Sequence, residues 1–209
     1  ALCVPCTIIN YLNKRINISL LIQFFIRWKY LNIFAGSIFT YYQVISLQNK
    51  IKNIAIQGIA GSFHEEASRQ FFTKCEIKFS FCDTFEHVFQ QIKENNYTGV
   101  VAIENSLAGS ILPNYGAIQS YNLNIIGETY RKIEQNLMAL PGANLSNINE
   151  IWSHPMALRQ CQEFLNEYPK VKSVEKEDTA KSAYLIKKKK LKNTAAIASE
   201  TACKMYGMN

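Results

Sequence analysis

The sequence predicts an α/β fold in two lobes, and three observations carry that expectation. From Ile51 onward, short apolar runs alternate with amphipathic helical stretches. The alternation breaks once, where a strand over Asn124 to Glu128 is followed directly by another over Arg131 to Leu140, which reads as the chain crossing between lobes near Gly127 to Arg131. Polar residues then gather at four strand-to-helix corners: Gly61-Ser62, Asn105 to Ser110, Ser153 to Pro155 and Asp178-Thr179. Open sheets built from strand-helix units bind ligands at such corners, where helix N-termini present backbone donors. The expected division is a leader over 1–50, a first lobe over about 51–128 and a second over about 129–207.

Each element has its own local reason. Asn53 to Gln57 is a short buried strand, and Gly58 to Gly61 turns it into a helix opening at Ser62, which forms a capping-box spacing with Glu65. Glu76 to Phe81 is the next strand. Asp83 with Glu86 is expected to cap a helix whose Phe85, Val88, Phe89 and Ile92 recur at helical spacing. Gly99 to Ala102 is an apolar strand ending at Ile103-Glu104-Asn105-Ser106. A helix over Leu112 to Tyr121 carries Pro113 in its first turn, where the missing N–H does no harm. In the second lobe, Ile148 to Trp152, Val171 to Val174 and Thr194 to Ala198 read as strands. The helix after Pro155 places Leu158, Cys161, Leu165 and Tyr168 on one face and turns Gln160 away; Asp178 and Ser199 open two more.

The formal charge of +7 suggests nucleic acid until it is divided along the chain. Residues 1–50 carry five basic and no acidic residues, whereas residues 51–209 hold 18 basic against 16 acidic. The run Lys187 to Lys190 reads as a solvated helix end, and no nucleic-acid module accompanies it. Residues 1–50 stand open between a targeting segment, an interfacial anchor and translation upstream of a true start. The abrupt strand near Lys50 favours the last. Ile16 to Ile26 and Tyr30 to Leu47 are too interrupted to span a membrane, and no membrane role is expected for residues 51–209. Six scattered cysteines include one C-x-x-C pair, Cys3 and Cys6, without the second pair a zinc site needs; no metal is expected.

The corners supply hydroxyls, carboxamides and close backbone approach. Taken in order, G-x-x-G-S-F at Gly58 to Phe63, E-N-S-x-x-G-S at Glu104 to Ser110, S-H-P-x-A-x-x-Q-C at Ser153 to Cys161, D-T-A at Asp178 to Ala180 and A-A-I-A-S at Ala195 to Ser199 resemble prephenate dehydratase. The resemblance covers residues 51–209 and implies a two-lobed catalytic domain like a type 2 periplasmic binding protein. It implies conversion of prephenate to phenylpyruvate with loss of carbon dioxide and water, in phenylalanine synthesis, without a cofactor. It makes Asn105 and Gln160 the catalytic candidates, and places Ser62, Ser106, Ser110, Ser153 and Thr179 as substrate-binding candidates in the cleft. For Ser153 and Thr179, helix capping stands beside ligand contact.

The family's Thr-Arg-Phe motif does not occur within these 209 residues. By resemblance, its threonine donates the proton and its arginine binds carboxylate. The expectation is therefore a truncated member with impaired activity, lacking the closing strands of the first lobe and the ACT regulatory domain, and exposing an unpaired sheet edge. The resemblance places a full-length parent in the cytoplasm, or in a plastid if the leader is a targeting segment. It further implies a homo-oligomer with phenylalanine as regulator. Two alternatives stay open: a noncatalytic two-lobed binder of small carboxylates or amino acids, and an arogenate dehydratase.

Overall fold

The computed structural model describes residues 2–10, 51–105 and 109–209. Two mixed sheets form the two lobes. The first contains β1 (Leu2–Asn10), β2 (Lys52–Gln57), β3 (Ile77–Cys82), β4 (Thr98–Ala102) and β7 (Asn124–Ile133), in the order β3-β2-β4-β1-β7. Helices α1 (Phe63–Phe71) and α2 (Phe85–Asn95) cover its two faces. A short hairpin of β5 (Glu104–Asn105) and β6 (Gly109–Ser110) leads to α3 (Leu112–Ser120). The second sheet orders β8 (Asn136–Met138), β9 (Glu150–Ser153), β10 (Lys172–Glu175) and β11 (Thr194–Ala198) as β10-β9-β11-β8. Helices α4 (Pro155–Gln160), α5 (Gln162–Asn166), α6 (Thr179–Lys189) and α7 (Glu200–Tyr206) complete that lobe.

The capping chemistry is local and lands where the sequence puts it at three helices. Ser62 Oγ accepts from Glu65 N, Asp178 Oδ1 from Lys181 N, and Ser199 Oγ from Ala202 N. At α2 the cap is Thr84 rather than Asp83: its hydroxyl accepts from His87 N at 3.2 Å. The helix after Pro155 is broken at Cys161, whose φ of −103° and ψ of 15° separate α4 from α5.

Two departures concern the first lobe. Strand β7 runs unbroken through Ile133, so the passage between lobes lies at Glu134-Gln135 and not at Gly127 to Arg131. Its second half is held by a partner distant in sequence: Arg131 pairs with Val4 and Ile133 with Leu2. The second departure is β1 itself. Leu2–Asn10, drawn from the stretch assigned to the leader, lies antiparallel between β4 and β7, so the expected gap in this sheet is filled. Alternation explains the fit: Cys6 and Ile8 enter the core beneath α1, and Ile9 enters the core beneath α2. The candidate membrane stretches at Ile16 to Ile26 and Tyr30 to Leu47 lie outside the described residues. Among those described, no helix is long and apolar enough to cross a membrane.

Direct bonds tie the lobes together at the β2–α1 turn. Ser199 Oγ donates to the Gly61 carbonyl at 2.6 Å and Tyr206 Oη to the Ala60 carbonyl at 2.5 Å. Burial pushes the Tyr206 phenol up to about 12, with Asp178 and Glu65 adding to the shift, so it remains a donor at neutral pH.

Candidate active site

A cleft of about 520 Å³ opens between the lobes, and four helix N-termini border it, that of α2 with Thr84 and Phe85 among them. The β2–α1 turn brings Ser62, α4 brings His154 and α6 brings Asp178 with Thr179. Such ends favour anions through their unpaired N–H groups and partial positive charge. Asn105 reaches the cleft from the β5–β6 hairpin, and Gln160 from the last position of α4. Behind the hairpin, the buried Asn114 donates to the Ala102 carbonyl at 2.7 Å, which ties the exit of β4 to α3.

The expected site residues therefore divide. Ser62, Asn105, Gln160 and Thr179 meet in the cleft. Ser110 is exposed on β6 and outside the cleft lining. Ser153 is fully buried, and its hydroxyl donates to the Ile197 carbonyl at 2.6 Å, joining β9 to β11. It neither lines the cleft nor caps a helix, since His154 caps α4 through Nδ1. Ser106 lies outside the described residues.

Arg131 and Gln135 line the cleft without a signal in local sequence. Arg131 is the one Lys or Arg lining the cleft among the described residues, and its guanidinium pairs with Glu66 at 2.7 Å. Gln135, on the passage between lobes, donates from Nε2 to Gln160 Oε1 at 3.0 Å. Asp178 faces the glycine turn so closely that a Cβ on Gly58 would stand 3.0 Å from its Oδ2. Burial raises the Asp178 carboxyl, partly offset by its bond from the Lys181 backbone and by nearby His154. Burial lowers the His154 imidazole against the pull of Asp178 and Glu175. A neighbouring hollow of about 600 Å³ shares His154, Glu177 and Asp178 but lacks the other corners. No cluster suited to a metal ion occurs among the described residues.

His64, packed edge-on against Phe85 with ring centroids 5.5 Å apart, is pushed down by burial to about 4, while its bond to the Gln57 backbone opposes the shift. Unfolded, it binds a proton near pH 6.5; folded, it does so only near pH 4. The unfolded state thus holds more protons between those values, and stability falls as pH drops through this window, by on the order of 3 kcal/mol. His64→Phe is expected to remove that share of the acid sensitivity. Urea midpoints of both proteins at pH 7 and pH 4.5 check this, and equal pH slopes would refute it.

The prephenate dehydratase family model matches residues 54–209. The chain is 36% identical over 157 residues to arogenate dehydratase/prephenate dehydratase 2, chloroplastic, of Arabidopsis thaliana, covering 75% of this chain and 40% of that protein. It is 34% identical over 158 residues to the bifunctional chorismate mutase/prephenate dehydratase of Escherichia coli K12, covering 74% and 41%. Among solved structures, the Arthrobacter aurescens prephenate dehydratase in complex with L-Phe aligns with a TM-score of 0.60 at 23% identity, over 75% of this chain and 53% of that one. GqqA, described as a novel type of quorum quenching acylase, aligns with a TM-score of 0.66 at 28% identity, over 76% and 57%. The chain spans about two-fifths of the length of these curated relatives. The shared architecture is the two-lobed α/β arrangement of type 2 periplasmic binding proteins. With the family model covering most of the chain and the motif corners meeting at one cleft, the chain belongs to the prephenate dehydratase family.

Proposed function

We propose that this cleft binds prephenate and carries its decarboxylative dehydration to phenylpyruvate. The observation behind this reading is the convergence of Asn105, Gln160, Ser62 and Thr179 on one cleft bordered by helix N-termini. In the reaction, the bond from the ring to its carboxylate breaks and carbon dioxide leaves. That electron pair enters the ring as the carbon–oxygen bond at the opposite position breaks, and the departing hydroxide takes a proton to become water. Aromatisation drives the step, so no redox partner is required. The protein's tasks are to hold a dianion and to polarise the leaving oxygen. The helix ends and Arg131 serve the first, and the carboxamides of Asn105 and Gln160 serve the second.

Turnover of prephenate by residues 1–209 is one test of this reading. Binding is the sharper test. Calorimetric titration of residues 1–209 with prephenate is expected to show saturable binding, weakened about tenfold or more in Gln160→Ala and Asn105→Ala. Phenylpyruvate is measured in the same samples, with arogenate run in parallel. Absence of both binding and product with either substrate overturns the reading, and arogenate used in place of prephenate assigns the same chemistry to the amino-acid substrate. Phenylalanine regulation, homo-oligomerisation and a cytoplasmic or plastid setting belong to the same proposal.

A further inference from the structure

The passage between lobes does more than join two sheets. Gln135 stands on it, and its Nε2 donates to Gln160 Oε1 at 3.0 Å. Among the described residues, its own Oε1 is buried without a partner. These contacts decide which way the Gln160 carboxamide faces. Turning both amides over would make Gln160 the donor and leave the Gln135 NH₂ in the buried, partnerless place. A buried amide donor without a partner is rarer than an under-satisfied carbonyl oxygen, so the arrangement with Gln135 donating is preferred. With its oxygen occupied by Gln135, Gln160 is left with its NH₂ to offer the cleft that both residues line. That polarity suits a carboxylate or a departing hydroxyl oxygen and opposes a cation.

We propose that Gln135 is a positioning residue, which occupies the Gln160 oxygen so that Gln160 meets the ligand as a hydrogen-bond donor. This rests on the reading that the cleft binds prephenate. Gln135 acts through Gln160 and needs no ligand contact of its own. An apolar side chain of similar length frees the Gln160 amide to rotate, while a ring N–H at the same position restores the donor.

The test is a double-mutant cycle on prephenate binding, measured by calorimetry on residues 1–209. Gln135→Met is expected to weaken binding about tenfold, the scale of one hydrogen bond to a charged group. In the Gln160→Ala background the same change is expected to have no further effect, because there is no amide left to orient. Gln135→His, which keeps a ring N–H donor, is expected to recover most of the loss and also guards against a variant that fails to fold. Equal losses from Gln135→Met in both backgrounds would show a general structural role and overturn the proposal, as would an unchanged affinity in Gln135→Met itself. If the unsubstituted chain binds neither prephenate nor phenylpyruvate, it is the functional reading that fails, which separates the two results.

Discussion

Deleting residues 1–10 is expected to abolish cooperative unfolding of the first lobe. Strand β1 is interior to its sheet, with β4 along one edge from Cys6 to Asn10 and β7 along the other from Leu2 to Asn10. Its Ile8 and Ile9 are fully buried and Cys6 is 3% exposed, packed with β2 and β4 side chains into the core on both faces of the sheet. Burial of these side chains contributes on the order of 5 kcal/mol, before the ladder bonds on both edges are considered. A domain's whole stability is about 5–15 kcal/mol, so the loss is comparable with the total. A graded version is Ile8→Ala, expected to cost about 2–5 kcal/mol through lost transfer energy and the cavity left beneath α1. Urea unfolding followed by near-ultraviolet circular dichroism checks both. An unchanged midpoint in the deletion would remove β1 from the folded lobe.

Gly61→Val is expected to destabilise the chain by about 4 kcal/mol, combining backbone strain with overpacking. Gly61 has a φ of +87°, in the left-handed region where a branched side chain is strained. A Cβ there would stand 3.0 Å from Ala202 Cα and 3.2 Å from Ala202 Cβ, so helix α7 would have to retreat. The same residue donates its N–H to Glu65 Oε2 at 2.8 Å and receives the Ser199 hydroxyl at 2.6 Å. Displacement therefore loosens the helix cap and the join between lobes together. Gly142 provides the control: its φ is +83°, but nothing lies within 4 Å of the Cβ position. Gly142→Ala should cost only the strain, about 1 kcal/mol. Thermal unfolding separates the two, with a drop on the order of 10 °C expected for Gly61→Val and a few degrees for Gly142→Ala.

What could be read from the sequence follows the range of the interactions. Ser62, Asp178 and Ser199 are identified as caps because a cap acts within three residues of itself. Asn105 and Gln160 are candidates through the family resemblance, and the β5–β6 hairpin and the last position of α4 bring them to the cleft. The continuity of β7 through Thr129 and Tyr130 was not legible, because these residues pair with Cys6 and Pro5 across the sheet. Ser153 lies in a motif with a polar look, yet its hydroxyl is consumed by the Ile197 carbonyl of a strand much later in the chain. Arg131 and Gln135 are ordinary polar residues until β7 and the passage beyond it place them at the cleft. Thr84 and Asp83 are adjacent potential caps, and only the backbone entry into α2 chooses between them.

The position of β1 also bears on how the chain is made. Its partners are Ala102 to Thr98 and Ile133 to Asn124, so a strand translated early waits for segments translated much later. At ribosomal rates of about 5–20 residues per second, that interval is on the order of ten seconds. During it, an apolar ribbon has both hydrogen-bonding edges open and no sheet to join, while the parallel pair β2 and β3 can already form. The second lobe has no such debt to the start of the chain, since its strands lie between Asn136 and Ala198. The first lobe, although it is made first, is thus the one whose completion depends on protection during synthesis.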